Sequence, residues 1–253
     1  VDNLAGAGRT TQTVKKNADD IASVQQEVAA HLADYASMKF GSIPYTTTQN
    51  VTYYVDEVNG NDSNDGLTSG TAFRTWAKVE SMIPMFVLHF VNIRIIGNIS
   101  GVYLYNRVIS NALTIIGDTE DKANHVMSFS SIVPFRGIVG GTTRNSGASI
   151  RLQYFTINEN FTVAGCTSFQ LENMSLRQIY FVFSKAYTLF CEYSGTGNGI
   201  YADHQSHVTS FNASGGVDGY GLYADFGSVI AKRGPQPTGN TANEFTQYGG
   251  VIR

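Results

Sequence analysis

The chain has 253 residues, 15% of them charged, and a formal net charge of −3. Its length suits one elongated domain plus a small extra segment, and its acidic balance argues against a nucleic-acid partner. No apolar run reaches the roughly 18 residues that span a bilayer, so no membrane partner is expected.

Residues 1–12 are small and polar. From Val14 a heptad takes over. Val14, Ile21, Val28 and Tyr35 share one position, and Asn17, Val24 and His31 share another three residues on. This spacing predicts an α-helical coiled-coil segment over residues 1–38. β-Branched residues at both seam positions disfavour a parallel dimer and favour a trimer, with Val14, Asn17, Ile21, Val24, Val28 and His31 as the trimerisation residues. Asn17 and His31 would set register at some cost in stability. A single amphipathic helix lying on the neighbouring domain is the alternative.

Residues 39–91 read as a linker and capping region. Tyr53-Tyr54-Val55 has strand character, and the run from Asn59 to Gly66 is a turn cluster rich in Asn, Asp and Gly. It resembles a calcium loop, but Ala72 stands where the bidentate glutamate belongs, so Asx turns are the simpler expectation. Trp76, Val79 and Met82 have helical spacing and predict a short helix over residues 75–83 that closes the N-terminal end of a solenoid.

Residues 92–253 carry a repeat of about twenty residues. Phe169, Leu189, Thr209 and Val229 recur at that interval, as do Leu171, Cys191, Phe211 and Ala231. Arg94-Ile95-Ile96-Gly97 is echoed by Thr114-Ile115-Ile116-Gly117. Ile179-Tyr180, Ile200-Tyr201 and Leu222-Tyr223 align about one turn apart. A fixed period in the twenties without helical patterning predicts a mostly β fold, a right-handed single-stranded parallel β-helix of about eight turns. Strand alternation then makes the Phe169 and Leu171 columns inward, with Glu172, Glu192, Asn212 and Lys232 outward. Cys166 and Cys191 are the only cysteines, and Cys191 is expected as a buried free thiol.

A family resemblance joins these pieces. Tyr53-Tyr54-Val55-Asp56, Asn59-Gly60-Asn61-Asp62, Asp65-Gly66 and Ala72-Phe73-Arg74-Thr75 are similar to the opening of pectin-lyase-like β-helices in bacteriophage tail spikes and neck appendages. The stretch from Tyr223 to Lys232, then Gln236-Pro237-Thr238-Gly239 and the final Gly249-Gly250-Val251-Ile252-Arg253, resembles closing turns of such proteins from phages of Gram-positive hosts. The head, from Leu4 to Thr11 and from His31 to Tyr35, is similar to their connectors. The resemblance implies a homotrimeric virion protein, in a tail or neck appendage, that contacts the host surface and meets other virion proteins through its N-terminal segment. It does not say whether the ligand is cut.

Two carboxylate columns are the chemistry candidates. Glu172 and Glu192, one period apart on the outward face, could approach the spacing of roughly 5–5.5 Å used by retaining glycosidases. Crowding would raise the pKa of one of them. Asp203 and Asp225 form the second pair, beside Tyr201 and Tyr223. There the rings would stack on sugars and the acids would accept their hydroxyls, although the two tyrosines could equally be core. Asp203-His204 with His207 is a weak metal pattern. No nucleophile elbow, phosphate loop or Cys/His cluster is present, so no metal or cofactor is expected. The favoured function is phage receptor binding: host adhesion through wall polysaccharide or teichoic acid without cleavage, with Tyr201, Tyr223, Glu172 and Glu192 touching ligand. The alternative is a depolymerase, a hydrolase of the same polymer that uses the paired carboxylates.

Overall fold

The structure is a computed structural model that describes residues 16, 17, 19–28, 46–140 and 150–253. The chain separates into two units, Val1–Pro44 and Tyr45–Arg253. In the first, residues 16, 17 and 19–28 are helical, with a Lys16–Asp20 ion pair of 3.5 Å one turn apart. Ile21, Val24 and Val28 are 59%, 57% and 52% exposed in the single chain. Val14 and His31 lie outside the described residues.

The second unit is mostly β, with long parallel sheets in a solenoid-like stack consistent with a parallel β-helix. One sheet has nine strands in chain order, from Val51–Asp56 to Val251–Ile252. The pairing begins upstream of residue 92, since Val51–Asp56 pairs in register with Val91–Ile96. A ten-stranded sheet forms another wall. Its long strand Ser175–Val182 is followed on later turns by two shorter ladders, one starting at Glu192–Gly195 and one at Ile200–Asp203.

Register explains the core. Ile93, Ile115, Leu152, Leu171, Thr188 and Ser210 pair in succession and are all fully buried. The neighbouring inward column runs through Val91, Leu113, Ile150, Phe169, Ala186, Val208 and Ile230. The uniform twenty-residue period fails here. Phe169 pairs with Ala186, Ala186 with Val208 and Val208 with Ile230, so these turns take 17, 22 and 22 residues. An odd slip moves every side chain of a strand to its other face. Phe169 and Leu171 are inward as expected, but Leu189, Thr209 and Val229 are not core. Phe211 is 38% exposed, with its ring 5.8 Å from the Arg233 guanidinium. Cys191 is buried but aligns with Met174 and Ala213 on a different wall. The echo after Arg94 is likewise displaced, since Ile93 rather than Ile95 pairs with Ile115.

Serines also line the interior, with opposite consequences. At one corner Ser184, Ser206 and Ser228 stack. The Cys166 N–H donates to Ser184 Oγ at 3.1 Å, the Ser184 N–H to Ser206 Oγ at 3.1 Å, and the Ser206 N–H to Ser228 Oγ at 3.0 Å. Ser206 Oγ in turn donates to the Phe181 and Asp203 carbonyls. Ser210 is equally buried, yet its hydroxyl has no partner among the described residues. A lost partner leaves a buried donor unsatisfied, whereas removal of an unpartnered hydroxyl relieves a desolvation cost. Ser206→Ala is therefore expected to lower stability by about 1–3 kcal/mol, and Ser210→Ala to leave it equal or raise it. Chemical denaturation of the two variants checks this, and the same sign for both would contradict the hydrogen-bond assignment.

The capping elements obey local rules. The helix Trp76–Ser81 starts at Thr75, whose side chain accepts from the Lys78 N–H, and buries Trp76 and Val79. The loop before it is tied by Asx geometry. Asn61 Oδ1 accepts from the Ser63 N–H at 2.9 Å and Asp65 Oδ1 from the Leu67 N–H at 3.0 Å. The Asp62 carboxylate accepts from the Arg74 and Thr75 N–H groups and from the Thr75 hydroxyl. Burial alone would raise the Asp62 pKa, but those hydrogen bonds and Lys78 outweigh it and hold it below the usual carboxylate range. Its oxygens are thus spent on the chain itself.

Candidate functional site

The structure separates the first carboxylate pair. Glu172 sits in the nine-stranded sheet opposite Leu189, while Glu192 sits in the ten-stranded sheet opposite Ser175 and Ser214. They share no column, because the turn between them is 17 residues rather than twenty. Each is also engaged. Glu172 accepts from Gln153 Nε2 at 2.8 Å and Gln170 Nε2 at 3.0 Å, with Arg151 Nε 3.9 Å away. Glu192 pairs with Lys122 Nζ at 2.8 Å and accepts from Ser175 Oγ at 3.3 Å. The Lys122 contact lowers the Glu192 pKa, the opposite of what an acid catalyst requires.

The second group holds together. Tyr180, Tyr201, Tyr223 and Phe245 pair in succession on the outward side of their strands. Tyr201 and Tyr223 stack with centroids 4.3 Å apart and planes 6° from parallel. Beside them Val182 pairs with Asp203, and the backbone bonds from Asp225 to Ala202 and from Gln247 to Ala224 put Asp225 and Gln247 on the next rungs. Asp225 is only 1% exposed. One of its oxygens accepts from Tyr201 Oη at 3.1 Å and Gln247 Nε2 at 2.8 Å, the other from the Phe226 N–H at 2.8 Å. Gln247 Nε2 also reaches Tyr223 Oη. Burial raises the Tyr201 phenol pKa, and Asp203 and Asp225 push it further. Burial and Asp225 do the same to Tyr223. Both phenols stay neutral and serve as hydrogen-bonding groups. Asp225 organises this network from beneath, and Asp203, on the outward side of its strand, accepts from the His204 N–H at 2.8 Å and lies 2.8 Å from His204 Nδ1.

The stacking corrects one expectation. Rings whose faces cover each other cannot also offer those faces to sugars, so the middle of the Tyr201–Tyr223 stack presents edges and hydroxyls. More open rings lie at the adjacent corner, where Phe183, His204, Phe226 and Tyr248 form a ladder with centroid separations of 5.1, 5.1 and 4.9 Å. Phe183, Phe226 and Tyr248 are 62%, 47% and 71% exposed. All four have φ between 41° and 48°, a left-handed conformation disfavoured for bulky residues, and on earlier turns the corner holds Gly137 and Gly165. The left-handed corner turns each ring out of the wall. Sequence reasoning missed this ladder, although a signal was present. Tyr180 and Phe183, Tyr201 and His204, Tyr223 and Phe226, Phe245 and Tyr248 are each an aromatic pair three residues apart, repeated every 21 or 22 residues.

Other candidates are closed. Burial pushes the Cys166 and Cys191 thiols up to about 12, so neither is a nucleophile at neutral pH. Among the described residues no three His, Cys, Asp or Glu side chains are placed to hold a metal ion, so His204, His207 and Asp203 do not assemble into such a site. In comparisons with known proteins, no protein-family model, no curated protein and no solved structure matches this chain.

Proposed function

We propose that this protein is a receptor-binding adhesin of a bacteriophage virion, a right-handed parallel β-helix carried on a homotrimeric N-terminal coiled coil. It grips a hydroxyl-rich polymer of a Gram-positive cell wall, polysaccharide or teichoic acid, without cutting it. The carrying observation is the outward corner ladder of one ring per turn, Phe183, His204, Phe226 and Tyr248, flanked on two of those turns by Asp203 and Gln247 and on two by the phenols of Tyr201 and Tyr223. Rungs stacked about 4.8 Å apart offer a polymer the same weak contact several times along its length. Phage origin and the virion location rest on the sequence resemblance of the opening and closing motifs.

Binding without cleavage is inferred from the spent carboxylates. Glu172 and Glu192 lie on separate sheets, and Asp225 is buried under its own hydrogen bonds. The test uses purified host wall polymer and reads cosedimentation and release of soluble fragments. Phe226→Ala with Tyr248→Ala should weaken cosedimentation by about tenfold or more, since two aromatic contacts of about 0.5–1.5 kcal/mol each are lost. The Glu172→Gln, Glu192→Gln double variant should cosediment like the parent, and neither protein should release fragments. Fragment release by the parent would overturn the reading.

A further inference from the structure

Another part of the ten-stranded sheet carries a small polar groove that the aromatic surface does not use. It is about 140 Å³ in volume and is lined by Thr156, Ile157, Asn158, Ser175, Leu176, Arg177 and Ser194. It lies where the pairing of Thr156–Ala164 with Ser175–Val182 shifts between Ile157 and Asn160. Such a bulge re-aims side chains and opens the surface of a sheet.

Arg177 is held in place before any ligand arrives. Its stem lies against Gly195, where a β-carbon would meet Arg177 Cγ at 3.4 Å and where φ is +109°. One terminal nitrogen donates to Thr196 Oγ1. A guanidinium has five N–H donors, so most of its capacity is left. No carboxylate pairs with it among the described residues. The neighbouring Glu192 is neutralised by Lys122 at 2.8 Å.

The other lining groups divide by chemistry. Thr156 Oγ1 donates its proton to the Lys122 carbonyl at 2.9 Å, and Ser175 Oγ donates to Glu192 at 3.3 Å. Both therefore present lone pairs to the groove. Ser194 and the exposed amide of Asn158 have no side-chain partner among the described residues and can donate. The groove thus combines a preset cation, two further donors and two acceptors.

We propose that the Arg177 groove is a subsite for a hydroxylated oxyanion, a phosphate ester or carboxylate borne next to free hydroxyls. Arg177, Ser194 and Asn158 take the anion oxygens. Thr156 and Ser175 accept from the ligand hydroxyls. A bare anion pairs with Arg177 but brings no carbon-borne hydroxyls for Thr156 and Ser175, and a neutral polyol brings hydroxyls but leaves the Arg177 charge without a counter-charge. This site does not depend on the adhesin reading, since small molecules probe it directly.

The test titrates the full chain by calorimetry with glycerol phosphate and with glucuronate, against inorganic phosphate, glycerol and glucose. At least one hydroxylated anion should bind more tightly than all three controls, and which one binds separates phosphate from carboxylate. Arg177→Gln should weaken that binding by about tenfold or more, the worth of one charge-assisted hydrogen bond, with Arg177→Lys intermediate. Asn158→Asp, at an exposed position, puts a repelling charge in the groove and should abolish binding even if Arg177→Gln fails to fold. The proposal is overturned if glycerol or glucose binds as well as the anions, if no probe saturates at tens of millimolar, or if binding survives Asn158→Asp or a folded Arg177→Gln.

Discussion

Phe169→Ala is expected to lower the unfolding free energy by about 3–5 kcal/mol, and Phe211→Ala by less than about 1 kcal/mol. The two residues look alike in sequence, and both fall on apolar columns of the apparent twenty-residue period. The fold separates them. Phe169 is fully buried, with its ring 5.1 Å from Phe135 across the interior. Its removal takes away a whole ring and leaves a cavity that the strands above and below, fixed by their ladder bonds, cannot close. Phe211 faces out and loses only its contact with Arg233 and some partly covered area. Denaturant melts of both variants give the difference directly. A larger loss for Phe211→Ala would mean that the Leu189, Phe211 and Arg233 rungs are paired one residue out of register.

The same two residues show what could be read in the sequence. Solenoid character was legible because buried parallel strands need apolar alternation on every turn. The Ile179, Ile200 and Leu222 register was legible because each precedes a tyrosine in a similar phrase, and the structure pairs all three. The Thr75 cap and the Asx loop were legible because their hydrogen bonds close within a few residues. The later inward columns were not, because polarity is inverted there. Thr188 and Ser210 point into the core while Leu189, Phe211 and Val229 point out or lie at the margin. The turns lengthen where the unbroken strand Ser175–Val182 gives way to two strands with a polar, glycine-rich loop between Gly195 and Ile200, and such an insertion alters the count without leaving a hydrophobic signal. The candidate site divided along the same line. Tyr201, Tyr223, Asp203 and Asp225 lie in strands with near-identical phrases and came together. Glu172 and Glu192 were joined only by arithmetic and came apart. The corner ladder was hidden because no propensity places Phe or Tyr at positive φ.

Loss of the proposed trimer is the change expected to weaken adsorption most. The proposed coiled coil rests on Val14, Asn17, Ile21, Val24, Val28 and His31, and of these the described apolar residues Ile21, Val24 and Val28 are more than half exposed in the single chain. Burying such residues at a three-fold seam removes their apolar area from water, at about 25 cal/mol per Å². Ile21→Glu with Val28→Glu places three charges in each of two layers, and their mutual repulsion and desolvation should dissociate the chains. The β unit should be unaffected, because Tyr45–Arg253 has its own continuous core. The parent should therefore sediment as three chains at micromolar concentration and the double variant as one, with the same melting transition for the β unit. Three weak surfaces on one particle bind a polymeric wall with an avidity gain of about 10²–10⁴ over one. Adsorption to cells should fall by that factor in the variant, while the affinity of each chain for a short wall fragment stays the same. A parent that sediments as a single chain would remove both the seam and the avidity argument. A trimeric parent whose monomeric variant adsorbs equally well would keep the seam and show that one aromatic surface is sufficient.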